Sequence, residues 1–128
     1  ATQLIEAIKN KSIKIKSAKI LIMGLTFKEN CADIRNSGIK SVIERLKKTK
    51  CNLDLFDPWV DKDEIKKIYD ISPKSILNKD TYDGIMIAVA HDKFKTMGID
   101  TIHNLCKKNH IIYDLKNLFT SDKIDLRL

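Results

Sequence analysis

The chain has 128 residues, with 24 basic and 17 acidic side chains and a net charge of +7. Its 43% hydrophobic and 32% charged residues are typical of a folded domain and exclude an intrinsically disordered chain. The sequence has no apolar run near the roughly 20 residues that a membrane helix needs. We therefore expect a single domain that is soluble and cytoplasmic, because the opening residues also lack the layout of a signal peptide.

Hydrophobic spacing predicts helices and strands that alternate along the chain. Apolar residues at helical spacing alternate with short, nearly all-apolar runs, which are typical of strands covered on both faces. The predicted elements are a helix at 2–10, a strand at 19–25, a helix at 38–48, a strand at 51–56, a helix at 61–69, a strand at 83–90, a helix at 99–108 and a strand at 110–113.

Finer expectations concern single positions. Ser37 is the expected N-cap of the second helix, and Ile65 and Ile68 are expected to point inward from the third. Cys106 is expected on the buried face of the fourth helix. A further turn is expected at 73–78, and the tail after residue 120 is polar, without a distinct element.

Strands separated by helices predict a parallel, doubly wound sheet with helices on both faces. The predicted fold class is therefore α/β, a Rossmann-like three-layer sandwich in a single domain. In such open sheets, ligands bind outside the carboxyl ends of the strands. That rule directs attention to the loops 26–37, 57–61, 90–95 and 114–118.

The loop 26–37 is the richest in candidate binding residues. Lys28 stands near its start and Arg35 near a helix N-terminus, where free backbone N–H groups and the helix dipole favour a phosphate. A guanidinium adds a two-pronged donor for such an anion. Asp33 either holds Arg35 or accepts from a ribose hydroxyl. The alternative for the whole loop is a solvated turn with one local ion pair.

The other loops carry weaker signals. Asp57, after the second strand, is a ribose acceptor, a phospho-acceptor or, most simply, part of an Asp-Pro turn. Asp92, beside His91, is expected to cap a helix, since the pair has no motif of a catalytic dyad around it. Lys116 follows the last strand and is expected to reach the same crevice as Lys28.

Several kinds of chemistry are not expected. The first strand-to-helix loop, with Gly24 and Gly38, does not match the GxGxxG dinucleotide-binding fingerprint. The cysteines Cys31, Cys51 and Cys106 form no CxxC pair, and the three histidines have no metal-ligand spacing. No disulfide framework and no metal site is therefore predicted. No serine or cysteine lies in a nucleophile motif.

Three stretches of the sequence together resemble a known family. The segment GLTFKENCADIRNS at 24–37 is followed by a helix, by DLFDPWVD at 54–61 and by IYDLK at 112–116. In this order, and above all in the FK-x4-DIR-x-S spacing, they resemble the C-terminal domain of the UDP-glucose/GDP-mannose dehydrogenase family. The resemblance covers residues 1–118. It is greatest to the branch that oxidises UDP-N-acetylhexosamines to uronic acids for capsule, Vi-antigen and O-antigen polysaccharides.

The resemblance implies a larger enzyme. Family members have an N-terminal NAD-binding domain, a central helical dimerisation domain and a C-terminal nucleotide-sugar domain, and they oxidise a sugar C6 alcohol to a carboxylate in two NAD-dependent steps. Residues 1–17 are then the end of an inter-domain helix and a connector, and residues 18–128 the UDP-binding domain. The catalytic cysteine belongs to the central part, so we expect this chain to be inert alone. The implied partners are a UDP-sugar, NAD, the other two domains and, for the full-length protein, a second copy.

The resemblance also assigns roles to single residues. Phe27 and Lys28 match a pair that contacts the nucleotide sugar. Lys116 falls where relatives place a basic residue, often arginine, near the substrate; lysine keeps the charge but loses the two-pronged geometry. Arg35, with Asp33 in the same motif, matches an arginine that reaches the NAD diphosphate. The resemblance places no catalytic and no metal-binding residue in this chain.

Three other interpretations stay open. A UDP-glucose 6-dehydrogenase domain is the alternative within the same family. A receiver domain of a signalling protein matches the size and Asp57, but Gly24-Leu25-Thr26 stands where it needs an acidic pair for Mg²⁺. A nucleic-acid-binding module has net charge as its only support. Since aromatic residues for base stacking are few, neither nucleic acid nor a membrane is an expected partner.

Overall fold

A computed structural model describes residues 1–35 and 38–127 of the chain. Its strands are β1 (Lys19–Met23), β2 (Asn52–Phe56), β3 (Tyr82–Ile87), β4 (Cys106–Asp114) and β5 (Leu126–Arg127). Its helices are α1 (Thr2–Asn10), α2 (Ile39–Lys48), α3 (Lys62–Tyr69), α4 (Asp92–Met97) and α5 (Ile99–Asn104). Short 3₁₀ turns lie at Ile15–Ser17 and Ser121–Lys123.

The five strands form one parallel sheet in the order β2-β1-β3-β4-β5. From β1 the chain moves to one side to form β2, and it then crosses back to form β3 on the other side of β1. The winding therefore reverses between β1 and β3, where Leu21 pairs with Ile85. The predicted Rossmann-like, doubly wound parallel sheet is confirmed.

Helices cover both faces of the sheet. The side chains of residues 20–23 in β1 alternate between the two faces, and both sets of side chains are apolar. Ile20 and Ile22 point into one buried cluster, which includes residues of α1, α2 and α3. Leu21 and Met23 point into the other, which includes residues of α4 and α5. All four side chains are fully buried, so the molecule has the predicted three layers.

The first helix packs on the same sheet. Leu4 and Ile8 are fully buried in the cluster that α1 shares with α2 and α3. Gly84 in β3 permits this close approach, since a Cβ atom built there would lie 3.1 Å from Ile8 Cδ1. Residues 2–10 thus contribute to the core of the domain, while the predicted boundary after residue 17 stays a prediction.

The predicted helix at 99–108 is wrong at its C-terminal end. The helix α5 ends at Asn104, and Cys106 begins β4 and pairs with Tyr82. The strand is nine residues long, longer than the predicted 110–113. Residues 107–109 of this strand are polar and exposed, and the register of the β3–β4 pairing shifts in the same part of the ladder. Buried and exposed residues therefore do not alternate there, and the sequence pattern does not predict this part of β4.

The predicted loop at 90–95 contains α4, a six-residue helix that the sequence pattern did not reveal. Of its side chains, Phe94 is the one that is buried, so the helix has no apolar periodicity to detect. The expected capping role of Asp92 is wrong, because His91 takes the N-cap position and Asp92 is the first residue of the helix.

Three further expectations need correction. Ile68 is 40% exposed, because the adjacent Tyr69 takes the inward position on α3. Residues 73–78 form no helical turn, and the polar tail includes the short strand β5. The expected N-cap Ser37 lies outside the described residues. Within 1–35 and 38–127, no helix has the length and apolar character that a membrane span requires.

Candidate functional site

The loops that follow β1, β3 and β4 meet at the carboxyl edge of the sheet, because these strands are parallel. Between them lies a crevice of about 220 Å³ at the point where the winding reverses. Phe27 and Lys116 line its sides, while Val42 of α2 and Val89 after β3 are among its apolar lining residues. This is the position at which open α/β sheets bind ligands.

Gly24 lets two of these loops approach each other. Its φ of +99° lies in the region that favours glycine, and its N–H donates to the carbonyl of Phe56 at 3.0 Å. A Cβ atom at this position would lie 2.6 Å from Val89 Cβ and 2.9 Å from Val89 N. Any other residue would therefore push apart the loops after β1 and β3, which form the crevice.

The loop after β1 is held in a closed turn by its own hydrogen bonds. The N–H of Phe27 donates to the carbonyl of Asp33 at 2.9 Å, and the hydroxyl of Thr26 donates to the carbonyl of Lys28 at 2.8 Å. Ile34 is buried and anchors the far side of the turn. The turn therefore displays Phe27, which is 63% exposed, and the exposed Lys28.

Asp33 and Arg35 form the local ion pair that the sequence suggested. The Nε of Arg35 lies 3.1 Å from Oδ1 of Asp33, Nη2 lies 3.3 Å from Oδ2, and the backbone N–H of Arg35 donates to Oδ1 at 2.9 Å. These hydrogen bonds lower the pKa of Asp33 and raise that of Arg35. The guanidinium is oriented by the carboxylate, and the Arg35 side chain stays 82% exposed.

Asp57 belongs to a buried hydrogen-bond network. It accepts the N–H of Trp59 at 2.9 Å, which confirms its part in a turn, and the N–H of Leu25 at 2.7 Å. Its Oδ2 also lies 3.0 Å from Nε2 of His91, whose side chain is fully buried, as is the carboxylate itself. A phospho-acceptor needs an accessible carboxylate, so the receiver interpretation of Asp57 is wrong.

The turn after β4 presents Lys116. The buried carboxylate of Asp114 accepts the N–H of Lys116 at 3.1 Å and that of Phe119 at 2.9 Å, which fixes the turn. Lys116 is exposed at the mouth of the crevice. The crevice is therefore lined by a cation, Lys116, and an aromatic ring, that of Phe27.

The structure brings together some of the predicted site residues. Phe27 and Lys116 line the same crevice, whereas Asp33 and Arg35 pair with each other on the outer part of the loop. The side chain of Lys28 is exposed and does not line the crevice, although its backbone carbonyl is part of the same turn. Among the described residues, no group of three or more His, Cys, Asp or Glu side chains is placed to hold a metal ion.

The contact between Asp57 and His91 was not predicted from the sequence. The two residues are 34 positions apart, and each was interpreted through its immediate neighbours. A usable signal existed, since both follow strands whose carboxyl ends meet at one edge.

The three cysteines are free thiols, and burial raises the pKa of Cys51 and Cys106.

The strand order and the crevice at the switch point define a Rossmann-like α/β domain with a candidate ligand site at the carboxyl edge of its sheet. Residues 21–121 match the family model described as the UDP-glucose/GDP-mannose dehydrogenase family, UDP binding domain. The chain belongs to this family.

Similar proteins are known from several organisms. A UDP-N-acetyl-D-glucosamine 6-dehydrogenase of Salmonella typhi is 44% identical over 98% of this chain, and one of Pseudomonas aeruginosa is 43% identical over 99%. The chain spans 30% of the length of each of these two relatives. The solved structure of a UDP-D-ManNAc dehydrogenase from Pyrococcus horikoshii superimposes with a TM-score of 0.70 at 27% identity, over 94% of this chain and 27% of that one.

Proposed function

We propose that this chain is the C-terminal, substrate-binding domain of an NAD-dependent dehydrogenase that oxidises C6 of a UDP-sugar to the uronic acid. The observation that carries the proposal is the crevice at the switch point, with Phe27 and Lys116 on its sides, within the stretch that matches a UDP-binding domain. A nucleoside diphosphate is the ligand that combines a flat base with a strongly anionic end.

The residues at the crevice suit the two ends of such a ligand. Phe27 presents an exposed aromatic ring, which gives apolar contact area to a base or a sugar. Lys116 at the mouth of the crevice, with Lys28 on the adjacent turn, supplies positive charge for the diphosphate. We assign all three residues to substrate binding.

Arg35 and Asp33 suit a second anion that approaches from outside this domain. The bound NAD would accept hydride from the sugar, and we assign Arg35 to its diphosphate. Arg35 fits this role because Asp33 orients its guanidinium while the side chain stays 82% exposed. The principal NAD-binding fingerprint is expected in another domain, since the loop after β1 does not match it.

The substrate is proposed from the relatives. Those that are 44% and 43% identical act on UDP-N-acetyl-D-glucosamine, and a UDP-N-acetyl-D-mannosamine dehydrogenase of Methanococcus maripaludis is 34% identical over 84% of this chain. We infer a UDP-N-acetylhexosamine, in preference to UDP-glucose, and a product used in surface polysaccharide synthesis. Catalysis by a cysteine of the central domain, dimerisation and a cytoplasmic location complete the proposal.

Substitution of Lys116 tests the substrate site. Lys116→Ala should weaken UDP binding to the 128-residue chain by about three- to tenfold, because one cation near the diphosphate is lost. Lys67→Ala is the matched control, since it removes the same charge from an exposed position in the last turn of α3. Isothermal titration with UDP and GDP measures both variants. Equal UDP affinities for Lys116→Ala, Lys67→Ala and the unsubstituted chain would contradict the proposal.

A further inference from the structure

The buried imidazole of His91 has one protonation state that fits its contacts. The backbone N–H of Asn30 donates to Nδ1 at 2.9 Å. Because a backbone N–H only donates, Nδ1 carries no proton. The proton is then on Nε2, which donates to Oδ2 of Asp57 at 3.0 Å. The ring is neutral, and its two neighbours set its tautomer.

These contacts join three loops at the carboxyl edge of the sheet. Asp57, in the loop after β2, also accepts the N–H of Leu25 at the start of the loop after β1. On the far side of that loop, Asn30 donates to His91, and its own Oδ1 accepts the N–H of Asp92 at 3.0 Å. The loop is therefore held at two points, Leu25 and Asn30.

Phe27 and Lys28 lie between these two points. We propose that His91 is a positioning residue for the nucleotide sugar: its neutral imidazole holds the loop 24–31 so that Phe27 and Lys28 face the ligand. His91 itself does not line the crevice, so it acts through the loop. This inference rests on the proposed function, since it takes Phe27 and Lys28 to be substrate contacts.

The surroundings of the ring support one tautomer. Asp57 is the carboxylate that contacts Nε2. The other contacts of the ring are with a hydroxyl and two aromatic rings, those of Thr26, Trp59 and Phe94. In the other tautomer, an N–H on Nδ1 would face the N–H of Asn30. That tautomer would therefore break the contact that holds the loop at Asn30.

Two substitutions separate the two contacts of the ring. In His91→Asn, the amide oxygen takes the place of Nδ1 and still accepts from Asn30. In His91→Gln, the amide nitrogen takes the place of Nε2 and still donates to Asp57, while the Asn30 contact is lost. Asn30→Gly keeps the backbone N–H that donates to His91 and removes the Oδ1 contact with Asp92, so it loosens the same end of the loop without changing the ring. The variant should fold, because position 30 is exposed and glycine also adopts the φ of 55° found there.

Nuclear magnetic resonance (NMR) of the 128-residue chain, with UDP as the probe, gives the expected pattern. The ¹⁵N shifts of His91 should report a neutral ring protonated on Nε2. His91→Gln and Asn30→Gly should bind UDP about three- to tenfold more weakly, the effect of one lost hydrogen bond, and His91→Asn less so.

Other results would overturn the inference. A ring protonated on Nδ1, or a UDP affinity of His91→Gln equal to that of the unsubstituted chain, would show that His91 does not position the loop. An unchanged affinity of Asn30→Gly would show that the attachment of the loop at Asn30 does not matter for the ligand. In that case UDP binding by the unsubstituted chain would leave the proposed function intact. Failure of the unsubstituted chain to bind UDP, with the expected tautomer present, would instead overturn the proposed function and with it the substrate role of the loop.

Discussion

The close approach of the loops after β1 and β3, which form the crevice, depends on Gly24. Gly24→Ala would combine a φ of +99° with a Cβ only 2.6 Å from Val89 Cβ. We expect the free energy of unfolding to fall by about 2–4 kcal/mol, from backbone strain and overpacking together. Urea denaturation followed by circular dichroism measures this change.

Gly38→Ala is the matched control for that measurement. Gly38 has ordinary helical backbone angles, and a Cβ there would meet nothing within 4 Å. Its substitution should leave the free energy of unfolding within about 1 kcal/mol of the original value or raise it slightly. Equal losses for the two alanine variants would show that the approach to Val89 is unimportant.

The thiol of Cys106 should be unreactive in the folded chain. Burial raises the pKa of the Cys106 thiol to about 12, with smaller contributions from Asp125 and Asp83. The thiolate is the reactive form, so its population in the folded chain stays small well above pH 8. Alkylation by iodoacetamide at pH 8 should therefore spare Cys106 in the folded chain and modify it in urea. Peptide mapping that finds Cys106 alkylated at equal rates in both conditions would contradict this.

At the scale of elements, α1 should behave as part of the domain core. Leu4→Ala and Ile8→Ala each empty a fully buried position against the sheet, and each should cost about 2–5 kcal/mol of unfolding free energy. Glu6→Ala, on the exposed side of the same helix, should cost less than about 0.5 kcal/mol. If residues 1–17 were only a connection to another domain, thermal denaturation would show no loss for any of the three variants.

The elements that the sequence predicts well are those with strong periodicity. The apolar run of β1 and the helical spacing of α2 each match one template, and both elements lie within two residues of the expected bounds. By contrast, α4 has one buried side chain, and β5 has two residues, which pair with β4 at the edge of the described sheet. Tertiary packing defines such short elements, and the local pattern does not.

At the scale of the whole molecule, the sequence predicted which loops form the site but not how they are joined. The rule about carboxyl ends of strands predicted that Lys28 and Lys116 reach one crevice, and the resemblance added Phe27. In the structure Lys116 and Phe27 line the crevice, and the side chain of Lys28 does not. The network of Asp57, His91 and Asn30 depends on contacts between residues that are 34 and 61 positions apart in the chain. The order of the strands indicates that these loops share one edge of the sheet, but the individual contacts between their side chains follow only from the three-dimensional structure.

The central claim is that the crevice at the switch point binds a uridine nucleotide. Among the other cavities of the described residues, one of about 420 Å³ lies at the amino ends of β4 and β5, with His103, His110 and Lys123 among its lining residues. The two cavities lie at opposite ends of the strands, so the location of binding decides between them.

The most direct test is an NMR titration of the ¹⁵N-labelled chain with UDP, with GDP and NAD titrated in parallel. We predict saturable amide shifts from UDP at Phe27, Val89 and Lys116, weaker shifts from GDP, and unchanged amides at His103 and His110. Shifts confined to the opposite cavity, or none at the crevice up to millimolar UDP, would contradict the account.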